Sequence, residues 1–203
     1  LIQLQSRHFD LVILMIGHDR STPIMIGSKV KKQFPYIPIY VLLNNDKEIT
    51  RFREDKSYID IIDRVFVWNG DSKIFFAMVK QLEDQVNVEN DTRIGLVKVI
   101  LLVEDSEKYY SRYLPLLYNN VMEQTKRIIE DVSTDDLFKV LRLRARPKIL
   151  LATTYEQAID IFDKYKEHLL CLITDVKFPR AAGMDEEAGF RLVRQVREQF
   201  KGL

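Results

Sequence analysis

Short apolar runs rich in Val and Ile recur along the chain, separated by amphipathic stretches, and this alternation constrains the fold more than any other feature. The runs are Asp10 to Gly17, Ile37 to Leu43, Arg64 to Trp68, Val97 to Glu104, Lys148 to Thr153 and Leu169 to Asp175. Each has the length of a strand, and continuous rather than alternating apolar character marks strands buried on both faces. Asp71 to Val86, Tyr155 to His168 and Glu186 to Phe200 carry helical patterns between them. Strands alternating with helices predict an α/β fold, a parallel sheet joined by right-handed crossovers and covered on both faces. No run approaches the roughly twenty residues that span a bilayer, so no membrane segment is expected.

With 203 residues, 46% of them hydrophobic, the chain is long enough for one large or two small cores. The polar, aperiodic stretch from Asn87 to Gly95 ends in glycine and reads as a linker. It predicts one unit over residues 1–91 and a second over 92–203. Similar segments support two units: His8 to Met15 and His168 to Asp175 both pass from a helix end into a strand, and they differ at the last position, Met against Asp. Some forty residues, Ser106 to Arg146, separate two strands of the second unit, where a crossover needs about a dozen. Tyr110, Leu114, Leu117, Val121 and Ile128 form a helical stripe there, Pro115 is expected to kink it or mark a late start, and Asp135 to Arg144 reads as a second helix. This insertion is either an extended packing helix or a surface for a partner or a homodimer.

Thirty-one basic against thirty acidic residues give a net charge of +1, which leaves no global basic field for nucleic acid or an acidic membrane. The single cysteine, Cys171, lies in an apolar run, which excludes an internal disulfide and suits a reducing, cytoplasmic compartment. The chain opens Leu1-Ile2-Gln3 with no initiator Met and no charged-then-apolar leader, as expected of a piece of a longer protein without a signal peptide.

In open parallel sheets ligands gather at the carboxyl ends of the strands. Glu104 and Asp105 close the run Val99 to Val103, and Asp175 closes Leu170 to Thr174. If these strands are neighbours, three carboxylates meet at one edge, where like charges raise each other's pKa and a hard divalent cation, Mg²⁺, relieves them. The bland readings are a solvated loop or helix start for Glu104 and Asp105 and an ordinary turn for Asp175.

These residues resemble a known family. Leu101-Leu102-Val103-Glu104-Asp105-Ser106, Asp175-Val176-Lys177-Phe178-Pro179, Gly183-Met184-Asp185 and Gly189 before a helix are similar to the receiver domain of bacterial response regulators. The resemblance implies a flavodoxin-like, doubly wound parallel sheet. It implies that Asp175 accepts a phosphoryl group from a histidine kinase or phosphotransfer protein of a two-component phosphorelay. Glu104, Asp105, Asp175 and the backbone carbonyl of Lys177 would hold Mg²⁺. A bridging metal would offset the repulsion between the two anions and position the in-line attack. The family pattern also wants a Ser or Thr after a fourth strand and a Lys after a fifth, and neither follows Asp175. The second unit is therefore expected to supply three strands and to be completed by residues outside this chain or by a neighbour.

The first unit resembles the back half of a receiver, with Met15 at the acceptor position, Leu43 at that of the Ser or Thr and Trp68 at that of the Lys. It would be a pseudo-receiver with no phosphoryl chemistry. The run Asp63 to Asp71, the segment Arg142 to Thr154 and the inserted helix are similar to the tandem receiver region of large bacterial proteins that also carry a phosphoenolpyruvate/pyruvate-binding domain. The implied role is signal transduction: a phosphorylated receiver that regulates an output domain which the sequence does not identify. The alternatives are a scaffold for protein interaction or dimerisation that is never phosphorylated, and a regulatory segment of a phosphotransfer enzyme whose catalytic domain lies elsewhere.

The remaining signals are weaker. Arg142, Arg144, Arg146 and Lys148 form a basic run, read as a solvated helix end or a contact for phosphate or an acidic partner. His8, His18 and His168 lack metal-ligand spacing, and Gly27-Ser28-Lys29 lacks the context of a phosphate loop. Asp175-Val176-Lys177 breaks the Asp-x-Asp of a haloacid-type phosphatase.

Overall fold

A computed structural model describes residues 8–17, 19, 21–54, 60–130, 145–181 and 183–199. The fold is mixed α/β with parallel three-stranded sheets. In chain order the elements are β1 (Val12–Ile16), α1 (Ser21–Gln33), β2 (Ile39–Leu43), α2 (Lys47–Glu54), β3 (Arg64–Val67), α3 (Lys73–Gly95), β4 (Val99–Val103) and α4 (Glu107–Glu130). There follow β5 (Lys148–Ala152), α5 (Tyr155–Tyr165) running into a 3₁₀ turn (Lys166–His168), β6 (Leu169–Thr174), β7 (Phe178–Arg180), β8 (Gly183–Asp185) and α6 (Ala188–Gln199). Among the described residues no helix is long and apolar enough to cross a membrane.

Two compact units emerge, one of residues 1–79 with 107–112, the other of 80–106 with 113–203. The division falls inside α3 and α4. The stretch Asn87 to Gly95, expected as a linker, is the last part of helix α3. Its polar residues hid two buried positions: Val88 packs with Val99, Leu150 and Tyr165, and the Thr92 hydroxyl donates back to the Val88 carbonyl at 2.7 Å.

In the first unit the strands pair in parallel in the order β1-β2-β3. Central β2, Ile-Tyr-Val-Leu-Leu, is buried along its whole length, which is why it reads as an unbroken apolar run. Edge strand β3 is closed by the first turns of α4. The Tyr110 hydroxyl donates to the Val65 carbonyl, and the Ser111 hydroxyl oxygen accepts from the Val67 amide at 2.9 Å. Backbone groups that an edge strand would leave open are satisfied by side chains.

In the second unit the order is β5-β4-β6, all parallel. Strand β4 is central and wholly buried; Leu101 and Val103 pack with Ala152, Phe162, Phe178 and Leu192. Strand β5 is buried throughout although it opens with a lysine. The expected buried strand at Leu169 to Asp175 is only partly so: β6 is an edge, with Leu170 and Ile173 exposed. The expected helix of the insertion runs through Pro115 without a break. Its stripe is buried at Tyr110 and Leu114, half-buried at Leu117 and Val121 and exposed at Ile128, while Tyr118, absent from the expected stripe, is fully buried. The second helix expected over Asp135 to Arg144 lies outside the described residues.

The basic run is not a solvated surface, as far as it is described. Arg146 and Lys148 are 3% and 2% exposed and are paired with carboxylates of α3, Arg146 with Asp84 and Lys148 with Asp91. Arg142 and Arg144 lie outside the described residues.

Candidate functional site

Strands β4 and β6 are neighbours, with Val103 opposite Thr174. The residues that follow them therefore leave the sheet side by side: the Asp175 amide donates to the Val103 carbonyl at 2.9 Å, and the Glu104 amide to the Ala152 carbonyl at 3.0 Å. The backbone thus brings Glu104, Asp105 and Asp175 to one edge. One oxygen from each of the three carboxylates lies within 4.8 Å of the others.

The three groups differ in exposure. Glu104 is buried, Asp105 half-buried and Asp175 exposed. Burial pushes the Glu104 carboxyl up to about 7 from 4.5; the Ser106 amide, donating at 3.1 Å, pulls it down, and the Asp175 and Asp105 charges push it further up. Three carboxylates so placed form an all-oxygen set that could hold a hard divalent cation. The loop after Asp175 is turned tightly, the Val176 amide donating to Asp175 Oδ1 at 2.7 Å. Lys177 follows in the same loop, and its ammonium pairs with Glu186.

Helix α6 holds this loop through Gly189. Its amide donates to the Val176 carbonyl at 2.9 Å, and a β-carbon there would stand 2.1 Å from the Asp175 carbonyl oxygen. The sequence flagged this glycine by its place before a helix, but not the contact that requires it. Hairpin β7–β8 follows the loop, and its Pro179 and Gly183 give it the sequence pattern of loop punctuation.

In the first unit Met15 lies inside β1, opposite Leu42, and is exposed. The residue just past β1, as Asp175 is just past β6, is Gly17. Leu43 is a core residue and Trp68 packs its ring 5.7 Å from that of Phe75. No carboxylate occupies any of these positions. Cys171 is half-buried, and burial raises its thiol pKa, as suits packing rather than nucleophilic chemistry.

The Glu104 shift has a measurable consequence. Because the carboxyl binds its proton more tightly folded than unfolded, its stabilising contribution is full below about pH 4.5 and is lost as pH rises through about 7. A shift of that size corresponds to roughly 3 kcal/mol. Glu104→Gln, which keeps an acceptor for the Ser106 amide, should raise stability at pH 8 by about that order and change it little at pH 5. Urea unfolding at the two pH values checks this; equal effects at both would show that Glu104 titrates normally.

No protein-family model, no curated protein and no solved structure matches the chain.

Proposed function

We propose that the second unit is a phosphoryl-accepting receiver module of a two-component phosphorelay, with Asp175 as the acceptor. The observation that carries this reading is the convergence of Glu104, Asp105 and Asp175 at the carboxyl ends of two adjacent parallel strands. The sheet orders support it: β5-β4-β6 places the first strand of the unit between its second and third, as in the flavodoxin-like doubly wound order, and β1-β2-β3 suits the back half of such a sheet.

Glu104, Asp105, Asp175 and the Lys177 carbonyl are the groups that would hold Mg²⁺. When bound, the ion offsets the repulsion between a carboxylate and an incoming phosphoryl group. An Asp175 carboxylate oxygen attacks phosphorus in line, the phosphorus–nitrogen bond of a phosphohistidine breaks, and the imidazole nitrogen leaves with the electron pair. The product is an acyl phosphate on Asp175. Its added charge and acceptor oxygens at the strand ends would bias the loop over Gly189 and the face of α6 between two states. The donor would be a cytoplasmic histidine kinase or phosphotransfer protein, and the regulated output domain would be attached or a partner. The first unit, with Met15 and Gly17 at the end of β1, serves as scaffold in this reading.

Intact mass after incubation with a small acyl phosphate and Mg²⁺ tests it. One phosphoryl adduct is expected, lost in Asp175→Asn and without Mg²⁺. An adduct that survives Asp175→Asn would sink the assignment. No adduct, even with a phosphorylated histidine donor, would favour the unphosphorylated scaffold, to which the exposed Leu170 and Ile173 of β6 and Phe190 of α6 lend support.

A further inference from the structure

The first unit has its own strand-end cleft, and its charge is the opposite of that at the carboxylate cluster. Strand β2 runs out into Asn45 and Asp46, and β3 into Trp68 and Asn69. The first turns of α4, which belong to the same unit, add Lys108 and Arg112. Together with Val67 these residues line a cavity of about 110 Å³. That is too small for a drug-sized ligand and suits a single compact group.

Lys108 and Arg112 stand four residues apart on one helix face, where two like charges repel. Asp46 answers one of them: its carboxylate lies 2.8 Å from the Lys108 ammonium, and this hydrogen bond, with the charges of Lys108 and Arg112, holds its carboxyl below the usual range. Glu107, the nearest acid on the helix, is taken by Arg53 at 2.6 Å. Among the described residues the exposed Arg112 guanidinium makes no ion pair of its own, so the cleft keeps one positive charge unbalanced. A guanidinium presents a planar fork of donors that matches an oxyanion bidentately, and carboxamides at the rim can complete such a set.

We propose that this cleft binds a small oxyanion of the phosphate class non-covalently, with Arg112 as its principal ligand and Lys108, Asn45 and Asn69 around it. The anion is held by charge and hydrogen bonds alone, with no bond formed or broken. The inference stands independently of phosphorylation at Asp175.

The chain's single tryptophan, Trp68, lines the cleft and reports on it directly. Titrating inorganic phosphate into the full chain at constant ionic strength, set with sodium chloride, should give a saturable change in its fluorescence. Arg112→Ala should weaken the apparent affinity by about tenfold or more, the loss expected for a charge-assisted bidentate contact. Asp46→Asn should tighten it several-fold by removing the competing carboxylate, and Asp175→Asn should leave it unchanged. Circular dichroism would verify that each variant is folded; if Arg112→Ala is not, Arg112→Gln takes its place. A response that does not saturate, that chloride alone reproduces, or that a folded Arg112 variant leaves unaltered would overturn the proposal.

Discussion

Replacing Asp84 with alanine is expected to cost the second unit about 3 to 5 kcal/mol, a large part of the total stability of an ordinary domain. Asp84 is completely buried and accepts four hydrogen bonds: two from the Arg146 guanidinium at 2.7 and 3.0 Å, one from the Tyr118 hydroxyl at 3.1 Å and one from the Ile149 amide at 2.9 Å. Burial works against the Arg146 charge and the Asp84 carboxylate more than restores it, so the guanidinium titrates above its usual value. The Lys148 ammonium lies 3.9 Å from the same carboxylate, but its closer partner is Asp91 at 2.7 Å. Removing Asp84 therefore strands one buried cation, weakens the surroundings of a second, leaves the buried Ile149 amide without its acceptor and costs the Tyr118 hydroxyl one of its two, the Ile149 carbonyl at 3.3 Å remaining. The loss comes from unpaired groups and not from the ion pair as such. Removing both partners, as in Asp84→Leu with Arg146→Met, should therefore cost less than the sum of the single changes. Urea unfolding followed by circular dichroism measures each of these variants; an Asp84→Ala loss under about 1 kcal/mol would mean that water reaches this network.

The second large effect is expected from a single methyl group. A β-carbon at Gly189 would meet the Asp175 carbonyl oxygen at 2.1 Å, Val176 Cα at 3.0 Å and the Asp175 carbonyl carbon at 3.1 Å. All three are backbone atoms, so no side chain can swing aside, and either the first turn of α6 or the loop carrying Asp175 must move. Gly189→Ala should cost about 3 kcal/mol, at the upper end for an overpacked site. The displacement falls on the loop that brings Asp175 to Glu104 and Asp105. On the proposed function, phosphoryl labelling should then fall by about a hundredfold, the effect of misplacing a reacting group by around an ångström. Gly183→Ala is the control: a β-carbon there meets nothing within 4 Å, and the change should stay within about 0.5 kcal/mol. If the two variants unfold at the same urea concentration, the close approach of helix and loop is not as described.

The strands were legible because their pattern follows from burial alone. A central parallel strand is covered on both faces, so β2 and β4 carry unbroken apolar runs whatever surrounds them in sequence. The α/β class and the positions of Glu104, Asp105 and Asp175 at strand ends follow from that. The far end of α3 was not legible, since one buried valine and one back-bonded threonine among polar residues carry no clear period. Arg146 before β5 and Lys148 at its start were not legible as buried for a related reason: their carboxylate partners lie 62 residues away at Asp84 and 57 at Asp91.

What the sequence determined by itself is the succession of the six parallel strands, most of the longer helices between them and the acids at the ends of β4 and β6, because hydrophobic periodicity is a local property of the chain. What only the tertiary structure decided is adjacency. It set β6 beside β4, so that three acids separated by seventy residues share one edge. It buried Glu104 while leaving Asp175 in solvent, and it brought Lys108 and Arg112 to the ends of β2 and β3. Pairing, desolvation and field strength depend on distances through space, and distances along the chain do not encode them.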